Sequence, residues 1–331
     1  MIERRAFLTW LAATGVGSVT GARPVRAAEP PPEITTLRLL KTESICWAPQ
    51  YVAEDLLKAE GFTEVTYVDF PGGPVSEFLA SRKADISLNF VGPNLIRVDQ
   101  GDAVVFLAGV HVGCFEVFGT ERVRRILDLK GKTVGVGKLN GAEHVFLASI
   151  MANVGLDPRK DVTWAVNPSA VSIQLLTEGK IDAFLGFPPT AQELRANKIG
   201  HVVVNSAMDR PWSQYFCCLA TGSREFVRRH PIATKRALRA ILKAADMCAL
   251  EPERAARVLV DRKYAPRFEY ALQVMKELPY GKWREYDPED TLRFYALRLH
   301  EAGMIKSSPQ KLIAQSTDWR FLKELKKELK G

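Results

Sequence analysis

Lys180-Ile181-Asp182-Ala183-Phe184-Leu185-Gly186-Phe187-Pro188-Pro189 has an echo in Lys83-Ala84-Asp85-Ile86-Ser87-Leu88-Asn89-Phe90, which runs on into Val91-Gly92-Pro93. Both read Lys-x-Asp, then a short apolar run ending in Leu-x-Phe, then a Gly/Pro break. Each follows a segment with the pattern of a short helix, over Val75–Ser81 and Ser169–Glu178. A short, nearly continuous apolar run bounded by turn residues reads as a strand buried on both faces, as in a parallel sheet covered by helices. The Gly/Pro break then falls just past the strand's carboxyl end, where open α/β sheets place their ligands. Two such units imply two similar α/β lobes whose strand ends face one cleft. The plainer alternative is that strand-turn patterns recur by chance in any α/β chain.

Working outward, Thr36–Lys41 alternates and reads as a first strand after the linker at Pro30-Pro31-Pro32. A loop over Thr42–Ala48 leads to a helix with Pro49 in its first turn and Gly61 as its stop. Val65–Phe70 and Val104–Val110 are further strands, so the first part of the chain alternates β and α. After the polar turn Asp128–Lys132 the pattern restarts, with strands at Thr133–Val136, Val162–Val166 and His201–Asn205, and helices over Ala142–Val154 and Ala191–Asn197. Gln214–Ala220 reads as a strand returning to the first lobe. From Glu225 the chain is mostly helical, with apolar residues at three- and four-residue spacing. The expected division is a linker at 28–35, the first part of lobe 1 at 36–124, lobe 2 at 125–210, and a return to lobe 1 with C-terminal helices at 211–331.

Composition sets bounds. With 331 residues, 47% hydrophobic and 25% charged, the chain is an ordinary globular sequence of one large or two medium domains. Of the net charge of +8, Arg4, Arg5, Arg23 and Arg26 against Glu3 account for +3, leaving +5 for the rest. That balance weakly favours anionic ligands, and no basic run is dense enough for nucleic acid. Residues 1–27 read as a twin-arginine export signal: Arg4-Arg5-Ala6-Phe7-Leu8, a weakly apolar run to Val19, and small residues at Val25-Arg26-Ala27. Five cysteines without a Cys-x-x-Cys spacing argue against a disulfide scaffold or a structural zinc site. No calcium loop or dinucleotide fingerprint is present.

From Leu37 onward the chain resembles the extracytoplasmic solute-binding proteins of ABC importers, in the nitrate/sulfonate/taurine and thiamine-precursor (NMT1/THI5-like) group. The resemblance is carried by Trp47-Ala48-Pro49-Gln50-Tyr51-Val52-Ala53, Phe70-Pro71-Gly72-Gly73-Pro74, Asp128-Leu129-Lys130-Gly131-Lys132-Thr133-Val134-Gly135-Val136 and Lys180-Ile181-Asp182-Ala183, in that order. It implies a two-lobe periplasmic-binding-protein type II fold, each lobe a mainly parallel sheet flanked by helices, with a helical C-terminal extension. It also implies hinge closure on a ligand, a periplasmic monomer, an ABC permease as partner, and no cofactor.

Strand-end loops supply the candidate ligand contacts. Phe70, Gly72 and Gly73 precede a helix, as do Lys138, Asn140 and Gly141 within Gly137–Gly141, so backbone N–H groups and the helix dipole can hold an anion there. His144 in the first turn can add a hydrogen bond. Trp47, Phe90, Phe115, Phe187 and Tyr215 offer flat apolar faces for a planar ligand, and Asn89 a direct hydrogen bond. His111 and Cys114 lie at the end of the fourth strand, where core packing is the competing reading. The expected function is capture of a small anionic or planar heteroaromatic solute for an ABC permease, without catalysis. The alternative is a cysteine-dependent enzyme on the same fold, sulfinate-cleaving or like the thiamine-pyrimidine synthases. It would use Cys46 as nucleophile and His111 as base, a pair whose meeting the sequence does not show.

Overall fold

A computed structural model describes residues 29–330. The expected export signal at 1–27 lies outside the described residues. Among these, ten strands form two five-stranded sheets. They are β1 (Thr36–Lys41), β2 (Glu64–Asp69), β3 (Ile86–Phe90), β4 (Val104–Val112), β5 (Glu116–Gly119), β6 (Lys132–Val136), β7 (Val162–Val166), β8 (Ala183–Gly186), β9 (His201–Asn205) and β10 (Phe216–Ser223).

The first sheet has the order β2-β1-β3-β10-β4 and the second β7-β6-β8-β5-β9. β1 runs parallel to β2 from Thr36↔Glu64 to Lys41↔Asp69 and touches β3 at the single pair Leu39↔Ile86. β6 runs parallel to β7 and β8. Each sheet then takes one antiparallel strand from the chain's passage between sheets: β5 enters the second sheet between β8 and β9, and β10 enters the first between β3 and β4. The sheets are therefore mainly parallel, as expected, with one antiparallel strand inserted in each. The segment 116–124, expected in the first lobe, carries β5 and belongs to the second sheet. Residues 104–118 read as one apolar stretch, and the crossing inside them is marked only by Gly113 at φ +58°.

The repeated Lys-x-Asp has one structural meaning in both copies. Asp85 Oδ2 accepts the Arg38 backbone N–H at 2.8 Å while its own N–H donates to Arg38 O at 2.9 Å. Asp182 Oδ2 accepts the Thr133 N–H at 2.9 Å while its own N–H donates to Thr133 O at 2.8 Å. The inserted strands finish the same way, with Ser223 N–H on Asp85 O and Thr120 N–H on Asp182 O. An arginine closes each clamp, Arg38 on Asp85 and Arg122 on Asp182. The echo thus fixes where the strands start, and the same register delivers their far ends to the cleft.

The C-terminal helices cover the first sheet. Pro231–Leu250 buries Ala233, Ala237, Ile241 and Ala245 on one stripe, and the fully buried Tyr280 and Trp283 lie on the adjoining 3-10 turn. Phe321, Leu322 and Leu325 bury one face of the last helix, Arg320–Glu328, so this stripe is packing surface. No helix among the described residues is long and apolar enough to cross a membrane.

Candidate functional site

The strand ends converge on a cavity of about 330 Å³, within the size range of small-molecule sites. The loop after β1 contributes Thr42, Ser44, Cys46 and Trp47, and the turn after β2 contributes Phe70–Gly73. Asn89 and Phe90 end β3, Lys138 follows β6, Ser169 follows β7 and Phe187 follows β8. Both sheets present their carboxyl ends, as a topological switch point requires.

The walls are aromatic. Trp47 stacks on Phe70 with ring centroids 6.1 Å apart, and Phe90 meets Phe115 edge-on at 5.1 Å. Behind them Asn94 joins three segments: its Oδ1 accepts the Ser76 N–H at 2.7 Å, and its Nδ2 donates to Asn89 Oδ1 at 2.6 Å and to Phe90 O at 2.8 Å. Asn89 is thereby held in the wall. Gly72 and Gly73 sit at φ +92° and +104°, and a β-carbon on Gly73 would lie 3.3 Å from Lys138 Nζ. Ile45 N–H donates to Pro188 O at 3.3 Å, and Arg195 pairs with Glu277 at 2.6 Å. Groups of the two lobes meet at each of these points, beside the cavity.

The anion expectation at Gly137–Gly141 needs correcting. Gly141 caps the helix Ala142–Asn153, but Glu143 in its first turn lines the cavity, with carboxylate oxygens 3.5 Å from where β-carbons of Gly137 and Gly141 would stand. The protein's own carboxyl group occupies the positive end of the helix, and burial pushes its pKa up. Its ionised form is disfavoured in the fold. Below the unfolded value of 4.5 both states are protonated and nothing is lost; as pH rises through the higher folded value, the penalty develops in full. Glu143→Gln should therefore raise the melting temperature at pH 7, and the gain should vanish at pH 4. An unchanged difference between those pH values would mean Glu143 is not the titrating group.

Eleven of the expected contacts line the cavity: Trp47, Phe70, Gly72, Gly73, Asn89, Phe90, Cys114, Phe115, Lys138, Gly141 and Phe187. Four are placed elsewhere. Asn140 is an exposed turn residue at φ +60° whose N–H donates to His144 Nδ1 at 3.2 Å. His144 packs edge-on against Trp164, and burial lowers its pKa to about 4, so it is neutral. Tyr215 stacks on Phe294 at 4.0 Å in the packing outside the cavity walls. His111 is fully buried beneath the floor.

That floor is sulfur-rich. Cys46, Cys114, Cys217 and Cys218 all line the cavity as free thiols. Donor atoms of Cys46, His111 and Cys218 lie within 4.8 Å of one another, so the residues paired in the nucleophile-base reading do meet. Burial alone would raise the Cys218 thiol, but the Cys114, Cys217 and Cys46 thiols and the His111 imidazole hold it well below the ordinary value. Cys46 is shifted upward despite a lowering contact from Cys114, with Cys218 and burial opposing that contact. The thiol shifted downward is therefore Cys218 rather than Cys46. Neighbours in a strand point to opposite faces, yet Cys217 and Cys218 both reach the cavity. The register against β4 shifts on either side of Cys218, and such a bulge re-aims side chains. No spacing rule in the sequence signals that bulge.

The model of the NMT1-like family matches residues 34–260. A 4-amino-5-hydroxymethyl-2-methylpyrimidine phosphate synthase of Saccharomyces cerevisiae, THI5, is 25% identical over 236 residues, 65% of this chain and 68% of its own length. Among solved structures, the periplasmic nitrate-binding protein NrtA from Synechocystis superposes with a TM-score of 0.74 at 17% identity, covering 91% of this chain and 90% of NrtA. The alkanesulfonate-binding protein SsuA from Xanthomonas axonopodis, bound to MOPS, gives 0.68 at 17% identity, with 88% and 100% covered. The desulfurization enzyme DSZB gives 0.60 at 15%, with 89% and 99% covered. These structures share the two-lobe fold.

Proposed function

We propose that this chain, which belongs to the NMT1-like family, is an extracytoplasmic solute-binding protein that captures a small planar, nitrogen-bearing solute and delivers it to an ABC permease. In this reading it is exported by the twin-arginine route and acts as a periplasmic monomer. One observation carries the choice of solute. Trp47, Phe70, Phe90 and Phe187 give aromatic walls to a cavity that Glu143 and Lys138 also line. A flat ring gains from the aromatic faces, and a ring amine donates to Glu143. A simple sulfonate would instead meet that carboxyl group at the helix end where its oxygens should sit.

Native mass spectrometry of the purified chain, before and after mild denaturation, tests the reading by the mass of a released molecule. Calorimetric titration with an aminopyrimidine and an alkanesulfonate then separates the solute classes. The aminopyrimidine should bind the parent, and Glu143→Gln should weaken it at least about tenfold, the loss of one charge-assisted hydrogen bond. Sulfonate binding in preference to the aminopyrimidine, strengthened by Glu143→Gln, would replace this solute class with an anionic one.

A second reading, a thiol-dependent enzyme, is favoured by the convergence of Cys46, His111 and Cys218 and by similarity to the yeast synthase. A covalent adduct on Cys218 or Cys46 in the same mass spectra would establish it over simple binding.

A further inference from the structure

We propose that Cys46, His111 and Cys218 form a binding site for one soft transition-metal ion, of the zinc or copper(I) class, in the floor of the cavity. The three residues come from separate elements: the 3-10 turn Ile45–Trp47, β4 and β10. Their donor atoms already lie within 4.8 Å of one another. In a tetrahedral site with metal–sulfur bonds of about 2.3 Å and metal–nitrogen bonds of about 2.0 Å, donors stand roughly 3.5–3.8 Å apart. Small side-chain rotations about backbones that are already in place close that difference.

The imidazole is prepared for the role. His111 Nδ1 lies 3.0 Å from Gly113 O and 3.3 Å from Val112 O, both acceptors, so Nδ1 carries the proton. Nε2 is therefore the ring nitrogen left for a ligand, and it is buried with no hydrogen-bond partner. A histidine that donates one ring N–H to a backbone carbonyl and leaves the other nitrogen bare has the outer-shell arrangement of a metal ligand. A buried polar nitrogen left without a partner is otherwise costly. Tyr280 packs edge-on against the ring at 5.2 Å and fixes its plane, while its hydroxyl donates to Cys46 O at 3.3 Å. His111 and Cys218 are register partners across β4 and β10, so two of the three donors are set by a strand pair.

Two sulfurs and one imidazole select zinc or copper(I) over magnesium or calcium, which take oxygen donors. Cys46 and Cys218 line the cavity, so the fourth coordination position opens toward it, with the Cys114 thiol or a bound solute as its occupant. This proposal does not rest on the transport reading, because solute binding is measurable on metal-stripped protein.

Cobalt(II) provides the test. The full chain, reduced and stripped with a chelator, should take up one equivalent and develop thiolate-to-cobalt charge-transfer absorption with the strong visible bands of a tetrahedral centre. Zinc should bleach both. Cys46→Ser, in a loop, and Cys218→Ser should each weaken cobalt binding at least about tenfold, the lower bound set by loss of even an outer-shell partner. Cys248→Ser, at a buried thiol outside the cluster, should leave binding unchanged. His111→Gln with the parent's circular dichroism should weaken cobalt binding as much. Absence of charge-transfer absorption at one equivalent, or equal affinity of the parent and Cys46→Ser, would overturn the site and leave His111 and the thiols as a metal-free hydrogen-bonded cluster.

Discussion

Gly113→Ala should destabilise the fold by about 3 kcal/mol or more. Gly113 is the crossing point between β4 and β5 and has φ +58°, where a residue with a β-carbon loses about 1–2 kcal/mol. The added carbon would also stand 2.3 Å from Ala207 Cα and 2.5 Å from Ala207 N. Those are backbone atoms of the returning segment, which cannot rotate aside, and overpacking typically adds about 1–3 kcal/mol. The two crossings are tied here: Ser206 Oγ accepts the Cys114 and Phe115 N–H groups, and Ser206 N–H donates to Phe115 O. Urea unfolding measures the loss directly. Gly131→Ala is the control, with φ +74° but nothing within 4 Å of the new carbon, and should lose about 1–2 kcal/mol. Equal losses for the two variants would mean that the crossings are not packed as described.

Gln50→Leu should cost about 3 kcal/mol while barely changing side-chain volume. β1 and β3 share one ladder pair and then splay apart to open the cavity. Gln50 fills the gap, with Nε2 donating to Leu40 O at 2.6 Å and Oε1 accepting the Leu88 N–H at 2.8 Å. Leucine leaves both backbone groups buried and unpaired, at about 1–3 kcal/mol each. Faster exchange of the Leu88 amide should accompany the loss, because that proton is donated to Gln50 Oε1. A loss below about 1 kcal/mol, too small for two unmet hydrogen bonds, would show that the sheet closes over the gap without this side chain.

The sequence carried the α/β alternation because each buried strand is an apolar run between polar turns, and it carried the strand-end loops because Gly and Pro mark them. The Lys-x-Asp echo was legible as a repeat, though its work, clamping the neighbouring strand through Asp85 and Asp182, depends on partners 47 and 49 residues away. β5 was hidden because no polar break separates it from β4. Glu143 was hidden for a different reason: an acidic residue in a helix's first turn is ordinary, and only the cavity shows that this one faces inward. The sulfur cluster was legible only in part: Cys46, His111 and Cys114 fall at strand ends, but their meeting joins segments distant in the chain, and Cys218 is aimed by a bulge.

The inserted strands also decide the order in which the molecule can be completed. All strands of the second sheet lie between residues 116 and 205, so a chain emerging from the ribosome can finish that lobe first. β4, by contrast, has only β10 as its partner in the sheet, and β10 ends at Ser223. Until then β3 and β4 expose apolar edges with nothing between them, the kind of surface that recruits other chains. The earlier-made lobe is therefore the one whose sheet is completed last, when β10 arrives.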